Sequence, residues 1–253
     1  MTSPAVASAT EEKTMLKKVA TSAGLALLVT ACSGQPLQPS ASVPPPNEAL
    51  GSQPFNGQRL HVQEVLSSHK FDGQTAHVQF NTTVNGTVVS AAFFANHNKD
   101  KSSVSGYNKT DDAIIGIFQQ DAADPTRVLM QAFAFADNIA DGFSITGTSK
   151  SASLHITVPV LNNIDGTTVP VTLALEFEAT GEVLNDTSSR QRFRFGDFTF
   201  LTGFKQLTTI ASVRGTASWR AGGVSTTVTA PLTNGDTFAT LDSTVSVDRF
   251  TSK

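Results

Sequence analysis

The chain has 253 residues, a formal charge of −3 and 39% hydrophobic residues, with 17 Phe against one Trp, one Tyr and one Cys. A lone cysteine excludes a thiolate zinc site, and a mildly acidic balance gives no electrostatic reason to seek nucleic acid.

Residues 1–31 read as a secretory signal. Lys17 and Lys18 precede the apolar run Val19–Ala31. That run is shorter than the roughly 20 residues a bilayer-spanning helix needs and suits a signal core. Glu11 and Glu12 sit poorly ahead of such a flank, so translation is expected to begin at Met15. Val29, Thr30, Ala31 and Cys32 then complete the run. This quartet resembles the bacterial lipobox, and the resemblance implies lipid attachment (diacylglycerol and a fatty acid such as palmitate) at Cys32 after cleavage before it. Two or more acyl chains hold a soluble domain on a bilayer without a spanning helix. Ser33 rather than Asp after the cysteine implies, by the family's sorting rule, an outer-membrane address in a host with two membranes. Cleavage removes three lysines and two glutamates, leaving the mature chain one charge more negative.

Residues 32–55 are rich in Pro, Ser, Gly and Gln and contain the triplet Pro44–Pro46. Such a composition buries too little apolar surface to offset the entropy of ordering, so a disordered tether is expected. From residue 56 to 253 the pattern changes: apolar and polar residues alternate, and turn residues recur about every 8 to 12 positions. This predicts one all-β domain, an antiparallel β-sandwich or barrel-like sandwich. Asn85-Gly86 predicts a two-residue hairpin turn, pairing Val84 with Thr87, Thr82 with Val89, Phe80 with Ala91 and Val78 with Phe93. Gly147 onward and Gly215 onward resemble each other, which suggests an internal duplication.

Candidate chemistry is sparse. Val171, Leu173, Leu175 and Phe177 predict a strand bearing Glu176 and Glu178 on its other face. Arg190, Arg192 and Arg194 lie on one face of a following strand, roughly 6.6 Å apart. With a loop centred on Leu184, Glu178 would face Arg190 and Glu176 would face Arg192, so cross-strand ion pairing is the preferred expectation. The alternative is an anion-binding row for sulfate, phosphate or an acidic polysaccharide. His61, His69 and His77 share an even spacing, but Lys70–Gly73 reads as a turn that separates them. With His97 and His155 they read as surface or rim residues. Asp137, Asn138, Asp141 and Gly142 miss the spacing of a calcium loop. Asp111, Asp112, Asp121 and Asp124 read as solvated loop carboxylates. Trp219 is the best single candidate for a binding anchor, a half-buried strand residue being the preferred reading, while the phenylalanines are expected in the core with no aromatic platform.

The sequence assigns no catalytic residue, metal or cofactor. It predicts a lipid-anchored envelope protein with a non-enzymatic structural or binding domain, extracytoplasmic, whose partners are the membrane and an envelope glycan or protein. The alternative is an exported hydrolase, for example glycan-active, with a carboxylate site that motifs do not reveal.

Overall fold

The chain divides into two units, Met1–Gln58 and Arg59–Lys253. The computed structural model describes residues 64–252. The signal, Cys32, the tether and His61 lie outside the described residues. The strands are β1 (Glu64–Val84), β2 (Thr87–Ser102), β3 (Gly106–Asp121), β4 (Val128–Asp137) and β5 (Phe143–Ile145), followed by β6 (Ser151–Leu161), β7 (Thr168–Phe195), β8 (Phe198–Ala221), β9 (Val224–Ala230) and β10 (Asp236–Ser252). They form one antiparallel sheet in the order β4-β3-β2-β1-β10-β8-β7-β6-β5, with β9 on β8. The all-β expectation holds.

The hairpin pairing follows from turn chemistry. Asn85 (φ 49°) and Gly86 (φ 71°) take the left-handed conformation that a type I′ turn demands. All four predicted pairs are observed. That register sends Val78, Phe80, Val89, Ala91 and Phe93 to one face, where they are fully buried.

Half of each long strand curls around a core. Residues from both flanks of the sheet join one buried cluster, including Ile115, Met130, Leu154, Leu173, Leu175, Val228 and Leu241. The ends of the sheet do not pair as strands, and Asn162 spans the gap. Its Nδ2 donates to the Leu129 carbonyl (3.0 Å), and its Oδ1 accepts from the Gln131 and Ile164 amides (3.1 and 3.2 Å). Near the turn end of the core, Gln119 is fully buried. It accepts from Trp219 Nε1 (2.7 Å) and donates to the hydroxyls of Thr226 and Thr87 (2.8 and 3.1 Å). At the other end, Ile139 and Phe143 turn inward from the β4–β5 connection and are buried. The stretch that only partly matches a calcium loop thus plugs the core.

Past this plug, β3, β2, β1, β10, β8 and β7 continue as one paired sheet. From Thr180 to Phe195 the only residue of β7 that is not exposed is the half-buried Asn185. β6 pairs with β7 only as far as Glu178, so the rest of that edge carries no neighbouring strand among the described residues. The two segments compared as a duplication take different forms. One is a turn followed by β6, with Pro159 paired inside the strand to Pro170. The other comprises the end of β8, a turn and β9.

Candidate anion-binding site

The arginine row is real, but its expected glutamate partners are not beside it. β7 is one strand of 28 residues, and Leu184 lies within it instead of at a loop. Two irregularities, between Ala179 and Val183 and between Val183 and Asn185, shift the pairing with β8. Gly181, at φ 90°, supplies a backbone conformation there that other residues rarely adopt. Phe177 pairs with Val213, whereas Asp186 pairs with Leu207, so the sum of paired numbers changes by an odd amount. Because side chains alternate with period two, an odd shift exchanges the faces. Glu176 and Glu178 therefore point to the outer face. Arg190, Arg192 and Arg194 point to the inner face, which is continuous with the core side. Glu176 instead meets His155 (2.9 Å).

The register then assembles a cationic surface. Arg192 pairs with Leu201, and Leu201 with Arg249 of β10, placing two arginines in one row across three strands. Strand spacing of about 4.8 Å puts their Cα atoms roughly 10 Å apart, within reach of one ligand for two guanidinium arms. Arg190, Arg192 and Arg249, with Thr199, Leu201 and Thr251, line a recess of about 210 Å³. No ion pair to these arginines or to Arg194 is found among the described residues. Lys205 and Lys70 lie on the same face, on β8 and β1, the latter 4.0 Å from Asp72. Arginine offers a planar fork of donors that matches phosphate, sulfate or carboxylate. Three of them line this open recess, and no carboxylate is among its lining residues, so it presents the donor set an oxyanion would require.

The other predicted residues are dispersed. Trp219 is 4% exposed and bonded to Gln119, so it is a core residue and no anchor. His69 and His77 both lie on β1, which runs straight through Lys70–Gly73 and corrects the expected turn. Their even spacing gives them one face, but eight residues separate them by roughly 26 Å. His69 pairs with Asp100 (2.8 Å). His77 is buried beneath Phe94 and Phe238, unlike the expected rim residue. Asp111 is buried at the plug, 2.5 Å from His97 and 3.1 Å from Lys109. Burial pushes the Asp111 carboxyl upward, but these two partners outweigh it and hold it below the usual carboxylate range. Asp112 faces the other way and accepts from Asn96 (2.6 Å). Asp121 meets Arg127 (3.3 Å), and Asp124 accepts from Thr126 (2.6 Å). These four carboxylates do not converge. Among the described residues no three His, Cys, Asp or Glu side chains gather as metal ligands would.

The phenylalanines overturn the expectation of an all-core role. Phe80, Phe93, Phe143 and Phe177 are buried, but Phe133, Phe135, Phe193, Phe195, Phe198, Phe200 and Phe238 are exposed. An aromatic platform exists, built from Phe instead of Trp and Tyr. Alternation alone could not reveal it, because a strand with Phe on one face reads the same whether that face is covered or bare.

No family model matches the chain, and no curated protein matches it. Among solved structures it is similar to an acetoacetate decarboxylase-like enzyme from Sphingomonas wittichii RW1, at 7% identity and a TM-score of 0.25, covering 72% of this chain and 90% of that one.

Proposed function

We propose that this is a lipid-anchored cell-envelope protein, held through Cys32, whose extracytoplasmic β domain is a non-enzymatic module for an oxyanion-bearing ligand. The observation that carries the binding role is the recess formed by Arg190, Arg192 and Arg249. The lipobox residues Val29 to Cys32 support the address.

Two experiments test the two halves separately. Cys32→Ser should abolish incorporation of a labelled fatty acid in the producing bacterium, and equal label in both proteins would remove the anchor. For the recess, Arg192→Ala should weaken binding of dextran sulfate roughly tenfold at fixed ionic strength, as expected for one charge-assisted contact. Glu176→Ala should leave that affinity unchanged, since its carboxylate is on the opposite face. The stability effects of the two substitutions should add, without the coupling a direct ion pair would give. Unaltered affinity in Arg192→Ala would sink the site.

A further inference from the structure

We propose that the β7–β8 hairpin docks on a phospholipid bilayer, its phenylalanines entering the interface and the recess arginines holding headgroup phosphates. This deepens the oxyanion reading and rests on it.

The hairpin is two-sided. The inner face carries Arg190, Arg192 and Arg194, with Arg249 beside them. The outer face carries Phe193, Phe195, Phe198 and Phe200, with Phe250 from β10. Phe193 stacks on Phe200 (centroids 6.4 Å apart), and Phe198 on Phe250 (5.5 Å). Phe195, next to the tip at Gly196-Asp197, is 86% exposed, and Phe193 is 56% exposed. Aromatic rings held this far into water mark an interaction surface.

The spacing suits a bilayer. Apolar side chains of interfacial proteins bury about 5–10 Å into the boundary between headgroups and acyl chains. Arg192 lies three residues behind Phe195, about 10 Å along the strand. Immersing the tip therefore brings Arg192, and Arg249 in the same row, to the level of the phosphates. Asp197, in the turn between two aromatic residues, and Glu64, in the same row as Phe198 across β10, are acids at this level, and Arg190, Arg192, Arg194 and Arg249 outnumber them.

The chain's path agrees. Glu64, where the described residues begin, pairs with Ser252, and Ser252 with Phe198. The segment leading back to Cys32 therefore joins the domain level with the aromatic tip. At up to about 3.3 Å per residue, 32 residues from Cys32 to Glu64 reach roughly 100 Å. An anchor at Cys32, as proposed above, would attach the chain to the bilayer and leave the orientation of the β domain to its own surface. The hairpin supplies the orientation.

A single-site probe tests this on the full chain. Cys32→Ser leaves no other cysteine, so Phe195→Cys in that background takes one nitrobenzoxadiazole label. Thr157→Cys, exposed on β6, is the control. The run Val19–Ala31 is common to both proteins, so the label's surroundings report docking and not mere attachment. With vesicles of equal parts phosphatidylglycerol and phosphatidylethanolamine, emission at position 195 should rise severalfold and shift to the blue, while position 157 stays unchanged. Adding Arg192→Glu and Arg249→Glu should reduce the response at 195 at least tenfold. Dextran sulfate binding, measured in parallel on the chain with Phe195 intact, separates the outcomes. An aqueous label at 195 with dextran sulfate still bound overturns docking and leaves the oxyanion site standing. Loss of both removes the two together. A blue shift without vesicles that grows with protein concentration means that a second copy covers the phenylalanines, and also overturns docking.

Discussion

Asn162→Ala should destabilise the domain by about 3 kcal/mol, more than any single surface change. The side chain is fully buried and makes two hydrogen bonds across the junction between the β4 and β6 flanks, to Leu129 and Gln131, and a third within its own segment to the Ile164 amide. The Asn163 amide adds one backbone bond there to the Gln131 carbonyl. Removing it leaves the Leu129 carbonyl and the Gln131 amide without these partners, and a buried backbone group left unsatisfied costs about 1–3 kcal/mol. Asn162→Asp separates hydrogen bonding from volume. Its carboxylate still accepts from Gln131 and Ile164, but its second oxygen faces the Leu129 carbonyl, where no donor remains. We expect it to be no more stable than the alanine variant. Denaturant unfolding gives the energies, and amide exchange at Gln131 locates the loss. If Asn162→Ala costs under about 1 kcal/mol with Gln131 still protected, the junction does not depend on this side chain.

Stability should also fall by about 3 kcal/mol as the pH drops from 6.5 toward 4, and His77→Phe should remove most of that dependence. His77 is 8% exposed, stacked on Phe94 at 4.1 Å with ring planes 9° apart, and its Nε2 is buried without a hydrogen-bond partner. Burial lowers its pKa from 6.5 to about 4. Between those values the unfolded chain binds the proton and the folded chain does not, so the stability present above pH 6.5 is lost on acidification. Each pH unit in that window contributes about 1.4 kcal/mol. Asp242 works in the opposite direction: burial raises its pKa, so its folded form takes up a proton first and gains stability as the pH falls. Asp111, held low by His97 and Lys109, adds its loss only below pH 3.8. Subtracting the His77→Phe profile from that of the native chain isolates the histidine. Parallel profiles between pH 6.5 and 4 would show that His77 takes up its proton equally well in the folded state.

The same outer surface shows how a sequence reading goes astray. His77 alternates with Ala76 and Val78, so period two places it away from the core, and that much is correct. Its burial comes from Phe94 of β2 and Phe238 of β10, which alternation within β1 cannot report. The arginine row failed differently. The expected loop centred on Leu184 would return Arg190 beside Glu178. Gly181 instead serves a bulge, and the strand continues with its faces exchanged.

What the sequence by itself determined is what local rules carry. Alternation made the domain all-β, because a half-buried strand must repeat every two residues. Asn85-Gly86 fixed one register, because both positions need a left-handed backbone. The lone cysteine behind Val29, Thr30 and Ala31 carries the lipobox resemblance on which the proposed address rests. Only the tertiary structure decided which faces are covered. Phe93 and Phe193 each sit in an alternating strand, yet the first meets a curled sheet and the second meets water. It also decided which charges meet: Arg192 and Arg249 are 57 residues apart in the chain but share one row, with only Leu201 of β8 between them. Burial and charge convergence depend on contacts between distant segments, and no window of neighbouring residues contains them.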